Sequence, residues 1–93
     1  MHDWTLRSII FDWKSAQVKF DFLNQHSMLV SILANGVSNL SVPRLNEWGP
    51  SVSVNNVEEL IPLENGKYKM KIEMQSGDVI EIDAMTFIFP EKD

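Results

Sequence analysis

The chain contains no cysteine. That excludes disulfides, thiolate catalysis and cysteine-based zinc sites. It also lacks a basic excess: 8 Lys and Arg stand against 13 Asp and Glu, for a formal net charge of -5. A nucleic-acid binder needs a basic footprint to engage phosphates, and a protein that docks on anionic lipid needs one as well. Neither partner is expected. No apolar run has the length to cross a bilayer as a helix. Met1-His2-Asp3-Trp4 lacks the basic segment and apolar stretch of a signal peptide, so a cytoplasmic location is the expectation. Glycine and proline are scarce, at 4 each, so each one can be read individually as punctuation.

What remains is ordinary for a globular protein: 93 residues, 44% hydrophobic and 23% charged. That length suits one domain over residues 1–93, with Glu91-Lys92-Asp93 read as a disordered tail. Period-two alternation dominates, and no long segment shows helical periodicity. Val18, Phe20 and Phe22 alternate with Lys19 and Asp21. Tyr68, Met70, Ile72 and Met74 alternate with Lys69, Lys71, Glu73 and Gln75. Both segments read as strands with one buried and one wet face. Met28 to Leu33 is apolar on both parities, which predicts a central strand covered on both sides. Strands are expected at about 4–13, 16–23, 27–34, 37–43, 51–61, 67–75, 78–84 and 86–89, with ends good to two to four residues. Phase changes between Leu6 and Ile9, and across Asn55-Asn56, predict bulges. The fold class is therefore all-β: an antiparallel hairpin meander of about 7–8 strands curled into a small sandwich or a partly open barrel.

The turns select registers. Taking Gln75-Ser76-Gly77 as a three-residue loop with Gly77 left-handed sets Ile72 against Ile80, Met70 against Ile82, Lys71 against Glu81 and Lys69 against Asp83. A two-residue loop would oppose Ile72 to Glu81, so the first register is preferred. The same reasoning at Ala34-Asn35-Gly36 predicts a hairpin with Val30 facing Leu40 and Met28 facing Val42. Asn65-Gly66 reads as a two-residue type I′ turn pairing Leu63 with Tyr68 and Ile61 with Met70. A Lys14-Ser15 turn would pair Trp13 with Ala16, Phe11 with Val18 and Ile9 with Phe20; lacking glycine, it also admits a longer loop.

No catalytic constellation emerges. His2 and His26 have no spaced acidic or thiol companions, so no metal site is expected. Glu58 and Glu59 are adjacent and would point to opposite faces of a strand. No nucleophile elbow, phosphate-binding glycine loop or EF-hand loop is present. No cofactor is expected, and the chain does not read as an enzyme. Met28, Met70, Met74 and Met85 read as core fillers and not as an adaptable binding surface. Trp4 and Trp13 fall on opposite parities of the first strand, predicting one in the core and one near an edge.

The most distinctive segment is Pro43-Arg44-Leu45-Asn46-Glu47-Trp48-Gly49-Pro50-Ser51, bracketed by prolines that restrict the chain. Arg and Trp are enriched in binding hot spots. One reading is a rigid loop presenting Arg44, Glu47 and Trp48 to a protein partner. The other, preferred because a small β-domain must cover its open ends, is a plug, with the Trp48 ring folded over an open end of the sheet and Arg44 pairing with Glu47 or stacking on the indole.

His2-Asp3-Trp4-Thr5-Leu6, Phe11-Asp12-Trp13, the segment from Arg44 to Ser51, and Met74-Gln75-Ser76-Gly77-Asp78 together resemble a pattern in small uncharacterised bacterial proteins. That resemblance implies an all-β domain and no particular activity. In size and charge the chain is also similar to immunity proteins of bacterial toxin systems and to orphan products of mobile gene cassettes. The leading functional expectation is a non-enzymatic protein-interaction domain, in the manner of an immunity-like inhibitor. A small-ligand binder using the mouth or interior of a curled sheet is the second reading. A homo-oligomer whose edge strands pair between subunits is the third.

Overall fold

Among the described residues the alternating segments form nine strands: β1 (Thr5–Asp12), β2 (Gln17–Leu23), β3 (Leu29–Asn35), β4 (Asn39–Ser41), β5 (Val54–Val57), β6 (Ile61–Pro62), β7 (Tyr68–Met74), β8 (Val79–Ala84) and β9 (Thr86–Ile88). The computed structural model describes residues 4–44, 53–57 and 60–90. The strands make two antiparallel sheets. Sheet A has the order β1-β2-β3-β9, and sheet B has the order β4-β8-β7-β5 with β6 also paired to β7. The inward parities of both sheets share one core. Val18, Phe20 and Phe22 come from β2, Ile32 and Ala34 from β3, Met70 and Ile72 from β7, and Ile82 and Ala84 from β8. The arrangement is an all-β sandwich.

Three hairpins close with one backbone geometry. Met74 N donates to Asp78 O and Gly77 N to Met74 O, both at 2.9 Å. Leu63 N donates to Lys67 O at 2.8 Å, and Gly66 N to Leu63 O at 3.2 Å. Asn24 N donates to Met28 O, and Ser27 N to Asn24 O, again at 2.9 Å. The left-handed position is Gly77 (φ 94), Gly66 (φ 82) or Ser27 (φ 59). This is the type I turn plus bulge, whose twist matches its flanking strands. At β7–β8 the expected register is the observed one: Ile72 faces Ile80, Met70 faces Ile82 and Lys71 faces Glu81. Lys69 also faces Asp83, and its ammonium reaches both Asp83 (3.4 Å) and Glu81 (3.5 Å). At Asn65-Gly66 the two-residue turn is corrected. Ile61 faces Lys69 and Pro62 faces Tyr68, and Asn65 does not adopt the positive φ that a type I′ turn requires.

The hairpin expected at Ala34-Asn35-Gly36 is also corrected. Gly36 is left-handed (φ 65), but β3 pairs with β2 and β9, while β4 crosses to sheet B and pairs with β8. Leu40 faces Ile82, not Val30. The crossing is held by Val37 N to Ala16 O and Met85 N to Asn35 O, each 2.9 Å, and by Ser38 N to Asp83 O at 3.0 Å. β3 is interior in its sheet as expected, yet its start is not covered on both sides: Met28 and Leu29 are 62% and 66% exposed. Both expected bulges are present. One lies between Leu6 and Ser8, the other between Val54 and Asn56. Before the first bulge, Thr5 forms an isolated antiparallel bridge with Ser53, the residue preceding β5.

Candidate functional site

Phe11 faces Val18 and Ile9 faces Phe20, as the sequence predicts, but the β1–β2 connection runs from Trp13 to Ala16. Its geometry is built by Asp12, whose Oδ1 accepts the backbone N–H of Lys14 (3.1 Å) and of Ser15 (3.3 Å). This Asx arrangement substitutes for the missing glycine, and Ala16 takes the left-handed position (φ 55). The tight turn projects Trp13 into solvent, where its side chain is 87% exposed. Its ring stacks on Phe11, with centroids 5.9 Å apart and planes 28° from parallel. Trp4 is the opposite case. It is buried against Phe22 at 5.4 Å, and its indole N–H donates to Gln25 Oε1 at 3.0 Å. The expected division, one tryptophan in the core and one near an edge, is what the strand produces.

Arg44 is exposed and helps to line a cleft of about 280 Å³ against the β1 bulge and the β7–β8 turn. Leu6, Ile9, Met74 and Ile80 contribute its apolar lining, and Arg7 its second guanidinium. Glu47 and Trp48, the other members of the expected contact loop, lie outside the described residues, as do Glu58, Glu59, His2 and the tail 91–93. The interior of the sandwich is filled by side chains, with Phe20, Phe22 and Met70 at 0% exposure. At these positions the space between the sheets is taken up by side chains, whereas the cleft beside Arg44 offers room for a small ligand.

A polar cluster lies on the outer face of sheet A. Asp21 accepts hydroxyl hydrogen bonds from Ser31 (2.7 Å) and Ser8 (3.1 Å) and pairs with Lys19 at 3.6 Å. The Ser31 hydrogen bond, outweighing the cost of burial and helped by Ser8 and Lys19, holds the Asp21 carboxyl below its ordinary value. A carboxylate so stabilised is a weak general base, because catalysis wants a pKa near the working pH. The cluster is cross-strand support. His26 sits exposed in the β2–β3 turn, where its backbone N–H donates to Asn24 Oδ1 at 2.9 Å. Among the described residues no three His, Asp or Glu side chains group as metal ligands, and no helix is long and apolar enough to cross a membrane.

The surface that sequence reasoning passed over is the edge of β1. Ile10 (52%), Phe11 (42%) and Trp13 are all exposed. A signal was present: Ile9-Ile10-Phe11 is apolar on both parities, which on an edge strand leaves an apolar residue in solvent whichever face is buried. Comparison of the chain with protein-family models, curated proteins and solved structures gives no match.

Proposed function

We propose that this domain works by binding another protein and not by catalysis, and that it does so through the β1–β2 end of sheet A. The carrying observation is Trp13, 87% exposed and stacked on Phe11. Exposing an indole gives up the burial that makes large aromatics stabilising, and Trp is among the residue types that dominate binding energies when desolvated. Two features make the position suited to docking. The Asp12 side chain fixes the backbone around the turn, so little ordering entropy remains to be lost on binding. The flanking Asp12 and Lys14 form a polar rim around an apolar centre, the usual anatomy of an interface. The partner is a protein offering apolar side chains to this end of the sheet. Inhibition of a toxin, as by an immunity protein, is one role such a module performs.

Benzoylphenylalanine at position 13 tests this in cells, with the same group at the exposed Glu64 position as control. A discrete photo-adduct from position 13, absent from position 64, is expected. Equal or no adducts at the two positions would remove this end of the molecule as the contact surface.

A further inference from the structure

Among the described residues the edge strands are not protected alike; β6 has two residues, one of them Pro62. β9 is three residues long, and Pro90 follows two residues after its end. β4 is three residues long, with Pro43 just beyond it. β5 has four residues and a bulge at Asn55. Short length, proline and bulges are the devices that keep an edge from pairing with another chain. β1 has eight residues. Its bulge at Arg7 guards the beginning, and Thr5 is already bridged to Ser53. From Ser8 to Asp12 the strand is regular and free of proline and lysine, and it has no strand partner on its outer side among the described residues.

We infer that this edge pairs with the same edge of a second copy, in an antiparallel two-fold arrangement centred on Ile10. The inference rests on the reading of the β1–β2 end as an interaction surface and names its occupant. Parity and punctuation choose the register. In an antiparallel pair, directly opposed residues lie on one face, and a one-residue slip would oppose inward to outward side chains. Ile9 and Phe11 follow the inward parity of Phe20 and Val18, while Ser8, Ile10 and Asp12 follow the outward parity of Asp21, Lys19 and Gln17. A two-fold axis at Ile9 would bring the Arg7 bulge into the ladder, and one at Phe11 would run into the turn at Trp13. Centred on Ile10, the regular stretch is used in full. Ile10 meets Ile10 of the second copy, Ile9 meets Phe11, and Ser8 meets Asp12. No like charges are opposed, and the β-branched–aromatic contact is a favourable cross-strand pair. Each exposed Trp13 arrives at the Arg7 end of the other strand, within reach of a cation–π contact.

The absence of native cysteine makes the test clean. In the full chain, Ile10→Cys is expected to give a disulfide-linked dimer on mild oxidation. Ser8→Cys and Asp12→Cys should each cross-link poorly alone and efficiently when mixed, because only opposed positions approach within disulfide range. Glu64→Cys is the background control. In light scattering, the wild-type mass should rise toward twice the monomer with concentration, while Ile10→Lys, altered at an exposed outward position, stays monomeric. A wild-type monomer at the highest soluble concentration, or Ile10→Cys linking no faster than Glu64→Cys, overturns the inference. If it is overturned in this way, an adduct to a different protein from position 13 leaves the proposed function standing; if the cross-linking and mass results hold, an adduct of twice the chain mass supports both.

Discussion

Gly36→Ala is a probe of the sheet-to-sheet crossing. Gly36 has φ +65, so any L side chain there is strained. A left-handed Ala costs about 1–2 kcal/mol, offset by about 0.4–1 kcal/mol because Ala narrows the unfolded ensemble. Gly66 offers a matched reference: its φ is +82, and an added Cβ would meet nothing within 4 Å. At Gly36 the Cβ would lie 2.8 Å from Met85 Cγ and 3.0 Å from Met85 Cβ. The Cγ can swing away, since Met85 is 57% exposed, but its Cβ is fixed to the backbone. Gly36→Ala should therefore destabilise by about 1–2 kcal/mol more than Gly66→Ala, the usual scale of overpacking. The assay is equilibrium urea denaturation of both variants, with Met85→Gly, which removes both the Cβ and the Cγ, added to each. Met85→Gly should recover part of the loss in the Gly36→Ala background and none in the Gly66→Ala background, a coupling of at least about 0.5 kcal/mol. Equal costs at the two glycines, or no coupling to Met85, would refute the crossing, because a β3–β4 hairpin gives Met85 no reason to approach Gly36.

Four further outcomes follow from named contacts. Ser27→Gly should stabilise by about 0.5–1 kcal/mol, since Ser27 (φ 59) holds the position that glycine takes in the other two turns; chemical denaturation measures it. Trp4→Ala should cost about 3–5 kcal/mol as a buried aromatic, whereas Trp13→Ala should stay within about 0.5 kcal/mol, so the same denaturation series separates a core tryptophan from a surface one. Asp12→Ala removes the acceptor of two turn N–H groups and should cost about 1 kcal/mol, with faster amide exchange at Lys14 and Ser15. Asp21 has a folded pKa below its ordinary 3.8, so its contribution is fully present above that value and is lost as pH falls through the folded pKa. The gap between wild type and Asp21→Asn in urea midpoint should thus be level at neutral pH and shrink below 3.8.

The sequence was most legible where the information is local. At β7–β8 a strict alternation and a single glycine admit one register, and Ile72 stands opposite Ile80. Both bulges were visible as phase changes, because a bulge shifts the parity of every residue beyond it. The Asn65-Gly66 turn was misread because the dipeptide suits both type I′ and type I with a bulge. In the observed ladder Pro62 sits opposite Tyr68, the register of the three-residue loop. The failure at Asn35-Gly36 was of another kind. A left-handed glycine reverses the chain, but it does not say which strand the chain joins next. Val30 opposite Leu40 satisfied the local apolar pattern; the observed partner of Leu40, Ile82, is far away in sequence and satisfies it equally well. Alternation fixes the face of a strand and leaves its neighbour open, so long-range pairing decides between two meanders and a sandwich.

The candidate site was less legible for a related reason. The Arg44–Trp48 loop drew notice through its composition, whereas the β1 edge is recognised only once the strand order is known. Ile9-Ile10-Phe11 reads as a buried strand if β1 is central and as an interface if β1 is outermost, and the residues are the same in both cases. What separates the two is the comparison among edges: Pro90, Pro43, Pro62 and the Asn55 bulge stand at the others, and nothing equivalent stands between Ser8 and Asp12. If the unguarded edge served no partner, a lysine at position 10 would be a neutral or improving change, protecting the chain from aggregation at little cost to its stability. Ile10→Lys should instead leave urea stability within about 0.5 kcal/mol while abolishing concentration-dependent association. A variant that folds, stays soluble and associates as the wild type does would show that the apolar edge has another explanation.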